Sequence, residues 1–287
     1  MKIEKASTLG FCRGVKRAIK IVEKAAHDSR EIATLGPIVH NWQVVRGLED
    51  IGVKSVSSLD EVKGHTVAVT SHGVSPEVID TIRARNLKIL DTTCINVRRA
   101  QDAAAKFARE GYHVFIFGES THPEVKGLLG WAGNNAVATL QVPEIASMSD
   151  IANLGIVAQT TQNKQQYADF IKGTIDRYFT SLHDLCVVNT LCEETQKRQK
   201  AALELARRSD IMIVIGGSNS ANTRKLAELC SPVVDTYLVQ TADDIERKWL
   251  RGKTSIGVTA GASTPDNVIN EVITRLENMT ESRADKD

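Results

Sequence analysis

The chain has 287 residues, enough to bury a large core and to form one to three domains. Its net charge is +1, from 36 basic and 35 acidic residues, so no global charge excess points to nucleic acid or to an anionic membrane surface. No run of 18 apolar residues occurs and the opening MKIEKASTLG has no apolar core, so neither a membrane span nor a targeting segment is expected. The five cysteines, an odd number at positions 12, 94, 186, 192 and 230, do not resemble a secreted disulfide framework. They place the chain in a reducing cytoplasm, where cysteines act as ligands, nucleophiles or core residues.

In chain order, the strand candidate Ile3–Ala6 precedes Cys12 in GFCRGV. A helix from Arg13 to about Ala26, the strand EIATL and the loop GPIVHN with His40 follow. Next come a helix over Trp42–Asp50, a strand near Val53–Val56, the short helical LDEVKG, and the strand HTVAVT ending in SHGVSP with His72. The helix Pro76–Arg85 and the strand LKILD then lead to Cys94 in DTTCINV. The order repeats: helix Arg98–Glu110, strand HVFIF, loop GESTHPE with His122, helix Val125–Trp131, strand AVATLQV and the short IASMSD. Strand GIVAQ, the loop Thr160-Thr161-Gln162, helix Gln165–Tyr178 and strand LCVVN reach Cys192 in NTLCEET. A third round has helix Arg198–Arg208, strand IMIVI, loop GGSNSANT, helix Arg224–Cys230, strand VVDTYLV and the short DDIERK. Strand TSIGVT, loop AGASTP, helix Asp266–Leu276 and a polar tail, TESRADKD, expected to fray, complete it. Apolar runs of strand length alternating with amphipathic segments are the pattern of parallel α/β layers.

Counting from the cysteines exposes a repeat. Cys12 to His40, Cys94 to His122 and Cys192 to Ser220 are each 28 residues, and each ends where an apolar strand gives way to a polar loop. Three such coincidences imply three copies of one structural unit. The third copy lacks its last strand, and Ile3–Ala6 is the strand available to supply it. The expected units are therefore 13–94, 95–192 and 193–287, the last completed by 1–12, in a pseudo-threefold trefoil of small α/β sheets.

In open α/β sheets ligands sit at the carboxyl ends of strands, where all three cysteines and the polar loops lie. A helix N-terminus favours the thiolate, the form that binds metal. Threefold symmetry would gather Cys12, Cys94 and Cys192 into one site, and soft thiolates select zinc, copper(I) or an iron–sulfur cluster. A structural zinc takes a fourth ligand from closely spaced pairs, whereas these cysteines are 82 and 98 residues apart. Three thiolates on a four-iron cubane leave one iron open to substrate. The loops offer short donors at His40, His72, His122, Ser220, Asn222 and Ser263, several beside glycines and ahead of helix N-termini, a cradle suited to a diphosphate. Glu124, the only carboxylate at the matched loop position, is the proton-transfer candidate.

GFCRGV, GPIVHN, SHGVSP, HPEVKG, AQTTQ, NTLC, GGSNSANT and GVTAGASTP, in this order across nearly the whole chain, resemble the 4-hydroxy-3-methylbut-2-enyl diphosphate reductase (LytB/IspH) family. The resemblance implies one [4Fe–4S] cluster per chain on Cys12, Cys94 and Cys192, with the substrate hydroxyl bound at its unique iron. Two electrons and protons then remove that hydroxyl as water, giving isopentenyl and dimethylallyl diphosphates, the last step of the methylerythritol phosphate route. It further implies that His40, His72, His122, Ser220, Asn222 and Ser263 hold the diphosphate and that Thr160 and Thr161 lie beside the allylic hydroxyl. Glu124, with Thr160, would deliver protons, and reduced ferredoxin or flavodoxin would donate electrons.

The sequence departs from the family's pattern at Ile95, where proline is usual, at Glu193 and Glu194, where small residues are usual, and at Ala221 in place of a serine. Two acids beside a ligand would lower a cluster's potential, and a lost hydroxyl would weaken phosphate binding. Cys186 and Cys230 have no counterpart in the repeat and are read as core, while His27, His65, His113 and His183 are read as surface or capping residues. The pairs Lys16-Arg17, Arg98-Arg99 and Lys197-Arg198 are solvated helix faces or a docking surface for an acidic electron donor. Two other functions compete: a divergent paralogue acting on another phosphorylated hydroxy substrate, and a cluster-based redox sensor without turnover. A sensor has no use for an anion cradle.

Overall fold

The computed structural model describes residues 1–28, 31–144 and 151–284. In chain order its strands and helices are β1 (Lys2–Lys5), α1 (Arg13–Asp28), β2 (Ile32–Leu35), α2 (Trp42–Glu49), β3 (Val53–Val56), β4 (Thr66–Val69) and α3 (Pro76–Ala84). They continue with β5 (Lys88–Asp91), α4 (Ile95–Arg109), β6 (His113–Phe117), α5 (Pro123–Ala132), β7 (Ala136–Thr139), β8 (Asn153–Ala158), α6 (Lys164–Tyr178) and β9 (Asp184–Val187). The last are α7 (Glu193–Ala206), β10 (Ile211–Ile215), α8 (Ala221–Cys230), β11 (Thr236–Val239), β12 (Ser255–Ala260) and α9 (Asp266–Ala284). The strands form three parallel four-stranded sheets, ordered β3-β2-β4-β5, β7-β6-β8-β9 and β11-β10-β12-β1. The order is the same in each, with β1 in the place of β5 and β9.

The chain divides into two compact units, one of Met1–Lys16, Val39–Arg46 and Glu193–Asp287, the other of Arg17–Ile38 and Gly47–Cys192. The first contains the β11-β10-β12-β1 sheet. Its central strand β10 is buried along its whole length, and the period of two divides its side chains between the two faces. Ile211, Ile213 and Ile215 pack with Val268, Val272 and Leu276 of α9. Met212 and Val214 pack on the other face with Ala202 and Leu205 of α7 and Leu226 of α8. β1 lies parallel to β12 with Ile3 opposite Ile256, and the Ala6 N–H extends the ladder to the Val258 carbonyl at 2.8 Å. Deleting residues 1–8 should therefore strip the edge from β12 and remove Ile3 and Ala6 from the apolar layers on either face. We expect a lowered melting temperature and a tendency to associate; an unchanged melting curve would show the strand to be dispensable.

The second unit contains the other two sheets. In β7-β6-β8-β9, Phe115, Phe117, Leu154 and Ile156 face Tyr167 and Phe170 of α6. Val114, Ile116 and Val157 face Ala100, Ala104 and Phe107 of α4 and Val125 and Leu128 of α5. Gly155 lets the Phe107 ring lie on the sheet, since a Cβ there would come within 2.5 Å of that ring.

Several boundaries differ from those expected. α4 and α7 begin directly after Cys94 and Cys192, not at Arg98 and Arg198. For α4 the cysteine itself is the cap, its carbonyl accepting the first helical bond from Arg98 N–H at 2.8 Å. α5 begins at Pro123 and α8 at Ala221, because His122 and Ser220 cap them. β11 starts at Thr236, since the Val233 and Val234 N–H groups turn back to the Cys230 carbonyl. β7 ends at Thr139, short of Val142. α9 runs on through Ala284, so the start of the tail expected to fray is helical, with Leu276 and Met279 buried. IASMSD and residues 285–287 lie outside the described residues.

Candidate functional site

Each of the three cysteines closes a strand-to-helix turn and is held there by its own N–H. Cys12 N–H donates to the Ala262 carbonyl at 3.1 Å, Cys94 N–H to Ser71 at 3.0 Å and Cys192 N–H to Thr160 at 2.9 Å. The three acceptors occupy matched places, just beyond the third strand of each sheet: β12, β4 and β8. Two residues ahead of Cys94 and Cys192, buried Thr92 and Thr190 donate their hydroxyls to the Val69 and Ala158 carbonyls, both at 2.6 Å. Asp91 and Asn189 each accept the N–H two residues on. The Cys12 sulfur accepts the Val15 N–H at 3.4 Å, and the Cys192 sulfur accepts Asn96 Nδ2–H at 3.2 Å. No disulfide joins any of the five cysteines. Cys230 is fully buried at the end of α8, where burial pushes its thiol up to about 11. Cys186, half-buried on β9, packs beside the α4 layer.

In the second unit the remaining polar residues form two linked pairs. His122 is buried and caps α5, its Nδ1 accepting the Glu124 N–H at 3.1 Å, which leaves the ring proton on Nε2. The His72 ring meets it edge-on, centroids 5.5 Å apart, and approaches Thr70 Oγ1 at 3.4 Å through Nδ1. One residue beyond His122's proline, Glu124 is 2 % exposed. Its Oε1 accepts the Thr160 N–H at 2.6 Å and its Oε2 the Thr160 hydroxyl at 3.0 Å. Burial raises its carboxyl to about 7, against the two bonds from Thr160, which pull it down. A carboxyl poised near neutrality and joined to a hydroxyl can pass a proton through that hydroxyl in either direction. Thr161, half-buried, accepts Gln159 Nε2–H at 3.2 Å. Gly73, at φ +70°, turns the His72 loop where a Cβ would strike the Gln101 amide.

In the first unit, Ser263 donates its hydroxyl to the His40 carbonyl at 3.4 Å. That carbonyl also lies so close to Gly217 that a Cβ would come within 2.7 Å. His40 is shifted down, first by burial and then by the charge of Arg224, which favours the neutral imidazole. It is not a helix cap: α2 is capped by the next residue, Asn41, whose Oδ1 accepts the Val44 N–H at 3.1 Å. The 28-residue spacing thus marks the cap in two copies and its neighbour in the first. Ser220 accepts the Thr223 N–H at 3.3 Å, which leaves its hydroxyl proton available to a further acceptor. Asn222, in the first turn of α8, is 5 % exposed and neither side-chain polar atom has a partner among the described residues. A buried amide without partners is costly, and its position at a helix N-terminus is suited to an anion. Ala221, buried beside it, offers only its backbone.

A family model described as LytB protein matches residues 3–277. The chain belongs to the LytB family. It is 45 % identical over 281 residues to a 4-hydroxy-3-methylbut-2-enyl diphosphate reductase of Dehalococcoides mccartyi, covering 98 % of this chain and 99 % of the relative. It is 42 % identical over 279 residues to that of Geobacter sulfurreducens, covering 96 % and 97 %. A solved structure of (E)-4-hydroxy-3-methyl-but-2-enyl diphosphate reductase, the terminal enzyme of the non-mevalonate pathway, aligns at TM-score 0.71 and 38 % identity, covering 97 % of this chain and all of the other. The E-1-hydroxy-2-methyl-but-2-enyl-4-diphosphate reductase of Plasmodium falciparum aligns at TM-score 0.88 and 26 % identity, covering 95 % and 87 %.

Within this LytB chain two of the basic residues read as solvated helix faces or a docking surface also hold the cysteine turns, and a third, Arg198, is buried, with Nη1 donating to the Ala260 carbonyl at 3.0 Å. Arg17 Nη1 donates to the carbonyl of Thr93, just ahead of Cys94, at 3.2 Å. Arg99 Nη2 donates to Asn189, ahead of Cys192, at 2.9 Å. Both lie five residues after a cysteine, a spacing visible in the repeat once it is aligned. Lys197, the third at that spacing, pairs instead with Glu193 at 3.9 Å, and Glu194 lies 3.9 Å from Arg13, so each unusual acid has a cation beside it. Ile95 is 74 % exposed at the start of α4. Among the described residues no helix is long and apolar enough to cross a membrane.

Proposed function

We propose that the chain is a 4-hydroxy-3-methylbut-2-enyl diphosphate reductase, removing the allylic hydroxyl of its substrate to give isopentenyl and dimethylallyl diphosphates. The observation that carries the reading is the common seating of Cys12, Cys94 and Cys192, each N–H bonded to the loop after a third strand. Three thiols at matched helix starts, outside any disulfide, are a soft donor set suited to a [4Fe–4S] cluster, one per chain. When bound, that cluster would relay, one at a time, the two electrons delivered by an external donor and would offer a Lewis-acidic iron. The division into units 13–94, 95–192 and 193–287 with 1–12 gives one ligand to each turn.

The protein's own groups do the rest. His40, His72, His122, Ser220, Asn222 and Ser263 hold the diphosphate. His122 is fixed as an Nε2–H donor by its capping bond, and Asn222 finds in the anion the partner its buried amide lacks. Glu124 holds a proton near neutrality and passes it to the departing hydroxyl through Thr160, with Thr161 alongside. A redox sensor without turnover would leave both the Asn222 amide and the Glu124–Thr160 pair without a purpose. Electrons come from a reduced ferredoxin or flavodoxin in the cytoplasm, drawn by the basic residues near α1 and α4, with no nucleic acid or membrane involved. Anaerobically purified protein should show the absorption and EPR spectra of a cubane and should turn over the allylic diphosphate with a reduced dye. A loaded protein that binds diphosphate but leaves the allylic alcohol intact would point to the divergent paralogue.

A further inference from the structure

We infer that Asn96 is a positioning residue for the redox centre, whose amide donates to the Cys192 thiolate and raises the reduction potential of the cluster held there. The inference rests on the assignment of Cys192 as a cluster ligand. Asn96 is the second residue of α4, half-buried, with Nδ2 at 3.2 Å from Cys192 Sγ across 96 positions of sequence.

The approach is built into the fold. One turn further along α4, Arg99 Nη2 donates to the Asn189 carbonyl at 2.9 Å and reaches Leu191 at 3.5 Å, so α4 grips the Cys192 turn at a second point. From the other side that turn is held by Cys192 N–H on Thr160, Leu191 N–H on Asn189 Oδ1 and the Thr190 hydroxyl on Ala158. Helix and turn are both fixed, and the amide meets the sulfur as a result. The repeat shows that the donor is particular to this place. Two residues after Cys12 stands Gly14, and two after Cys192 stands Glu194; neither has a side-chain N–H.

Reduction adds negative charge to the cluster and its sulfurs. An N–H dipole aimed at a thiolate favours that added charge, and hydrogen bonds to the sulfurs are among the factors that set cluster potentials. Cys192 is also the ligand followed directly by two acids, Glu193 and Glu194, whose charge acts in the opposite sense. An amide does not titrate, so its contribution is the same at every working pH.

The test is the midpoint potential of the anaerobically loaded protein, measured by spectroelectrochemistry beside iron content and melting temperature. In Asn96→Leu, similar in volume but without the donor, iron content and melting temperature should stay near those of the parent while the midpoint moves to more negative values. A tenfold change in a one-electron reduction equilibrium corresponds to about 59 mV. Asn96→Asp, which also brings an anionic oxygen to the sulfur, should move it further the same way, and the Fe–S(Cys) stretching bands should shift in both. An unchanged midpoint in loaded Asn96→Leu overturns the inference. If that variant loses its cluster, the same reading on Asn96→Asp decides, and loss of the cluster from both reduces Asn96 to a retention role and equally overturns it. A parent protein with no cubane spectrum defeats the ligand assignment itself, a failure distinguishable from an unmoved potential in loaded protein.

Discussion

Glu124→Gln should lower turnover by roughly 10²–10⁴ while leaving iron content and diphosphate affinity near those of the parent, a barrier increase of about 3–5 kcal/mol. The size, the buried position and the capability to accept the Thr160 N–H are all kept; only the transferable proton is lost. The first turn of α5 should survive, because its cap is His122 and not Glu124. A second readout follows from the raised carboxyl. Between its ordinary value of 4.5 and about 7 the folded chain keeps a proton on Glu124 that the unfolded chain gives up. The folded state thus binds more protons in that window, and its stability falls as pH rises through it, by on the order of 3 kcal/mol in total. Below pH 4.5 both states are protonated and the full contribution is present. The glutamine variant has no such group, so its unfolding free energy should lack this fall. Turnover within a few-fold of the parent would remove Glu124 from proton delivery, and parallel pH–stability curves would show the carboxyl to be ionised in the folded chain.

Much of the fold was legible because the three copies announce themselves. Apolar runs such as IMIVI and HVFIF have the length and β-branched or aromatic content of strands covered on both faces, and the 28-residue spacing aligns the copies without any structure. The missing last strand of the third copy pointed to Ile3–Ala6, and β1 does lie beside β12. Helix starts were read late. α4 and α7 begin directly after cysteines, which are not usual cap residues, and the first turn of α7, Glu193-Glu194-Thr195-Gln196, carries no apolar periodicity. At the site, the residue types at the loops were visible, but what fixes them was not. The raised Glu124 carboxyl comes from burial beside Thr160, 36 residues away, and the Nε2–H form of His122 comes from a capping bond. Asn96 goes unread in the sequence, and Arg17 and Arg99 read as solvated helix faces or a docking surface, because their partners are backbone carbonyls or a sulfur 76 to 96 residues distant. Neither partner leaves a mark on local sequence pattern.

Cys12→Ser, Cys94→Ser and Cys192→Ser should each lose most of the cluster iron and with it all reductase activity, whereas Cys186→Ser and Cys230→Ser should keep both. A serine hydroxyl is a hard, weakly acidic group that replaces a soft thiolate poorly, and with only three protein ligands no spare thiol can take its place. The fold around each substitution should persist. The bonds that seat these turns are made by backbone N–H groups and by neighbouring threonine and arginine side chains, and a hydroxyl can still accept the Val15 N–H at position 12 or the Asn96 amide at position 192. Cluster loss in these three variants should therefore come with near-parental circular dichroism. Cys230→Ser should behave in the opposite way. Its side chain is fully buried among Ala202, Leu205, Met212 and Leu226, so a hydroxyl there costs about 1–3 kcal/mol of stability, while iron is retained at temperatures where the protein stays folded. Cys186, half-buried on β9, should tolerate serine with little change in either quantity. Iron assay, the visible spectrum and thermal unfolding on the same five preparations separate the two groups. Iron retained in Cys94→Ser together with iron lost in Cys186→Ser would overturn both the ligand assignment and the equivalence of the three turns.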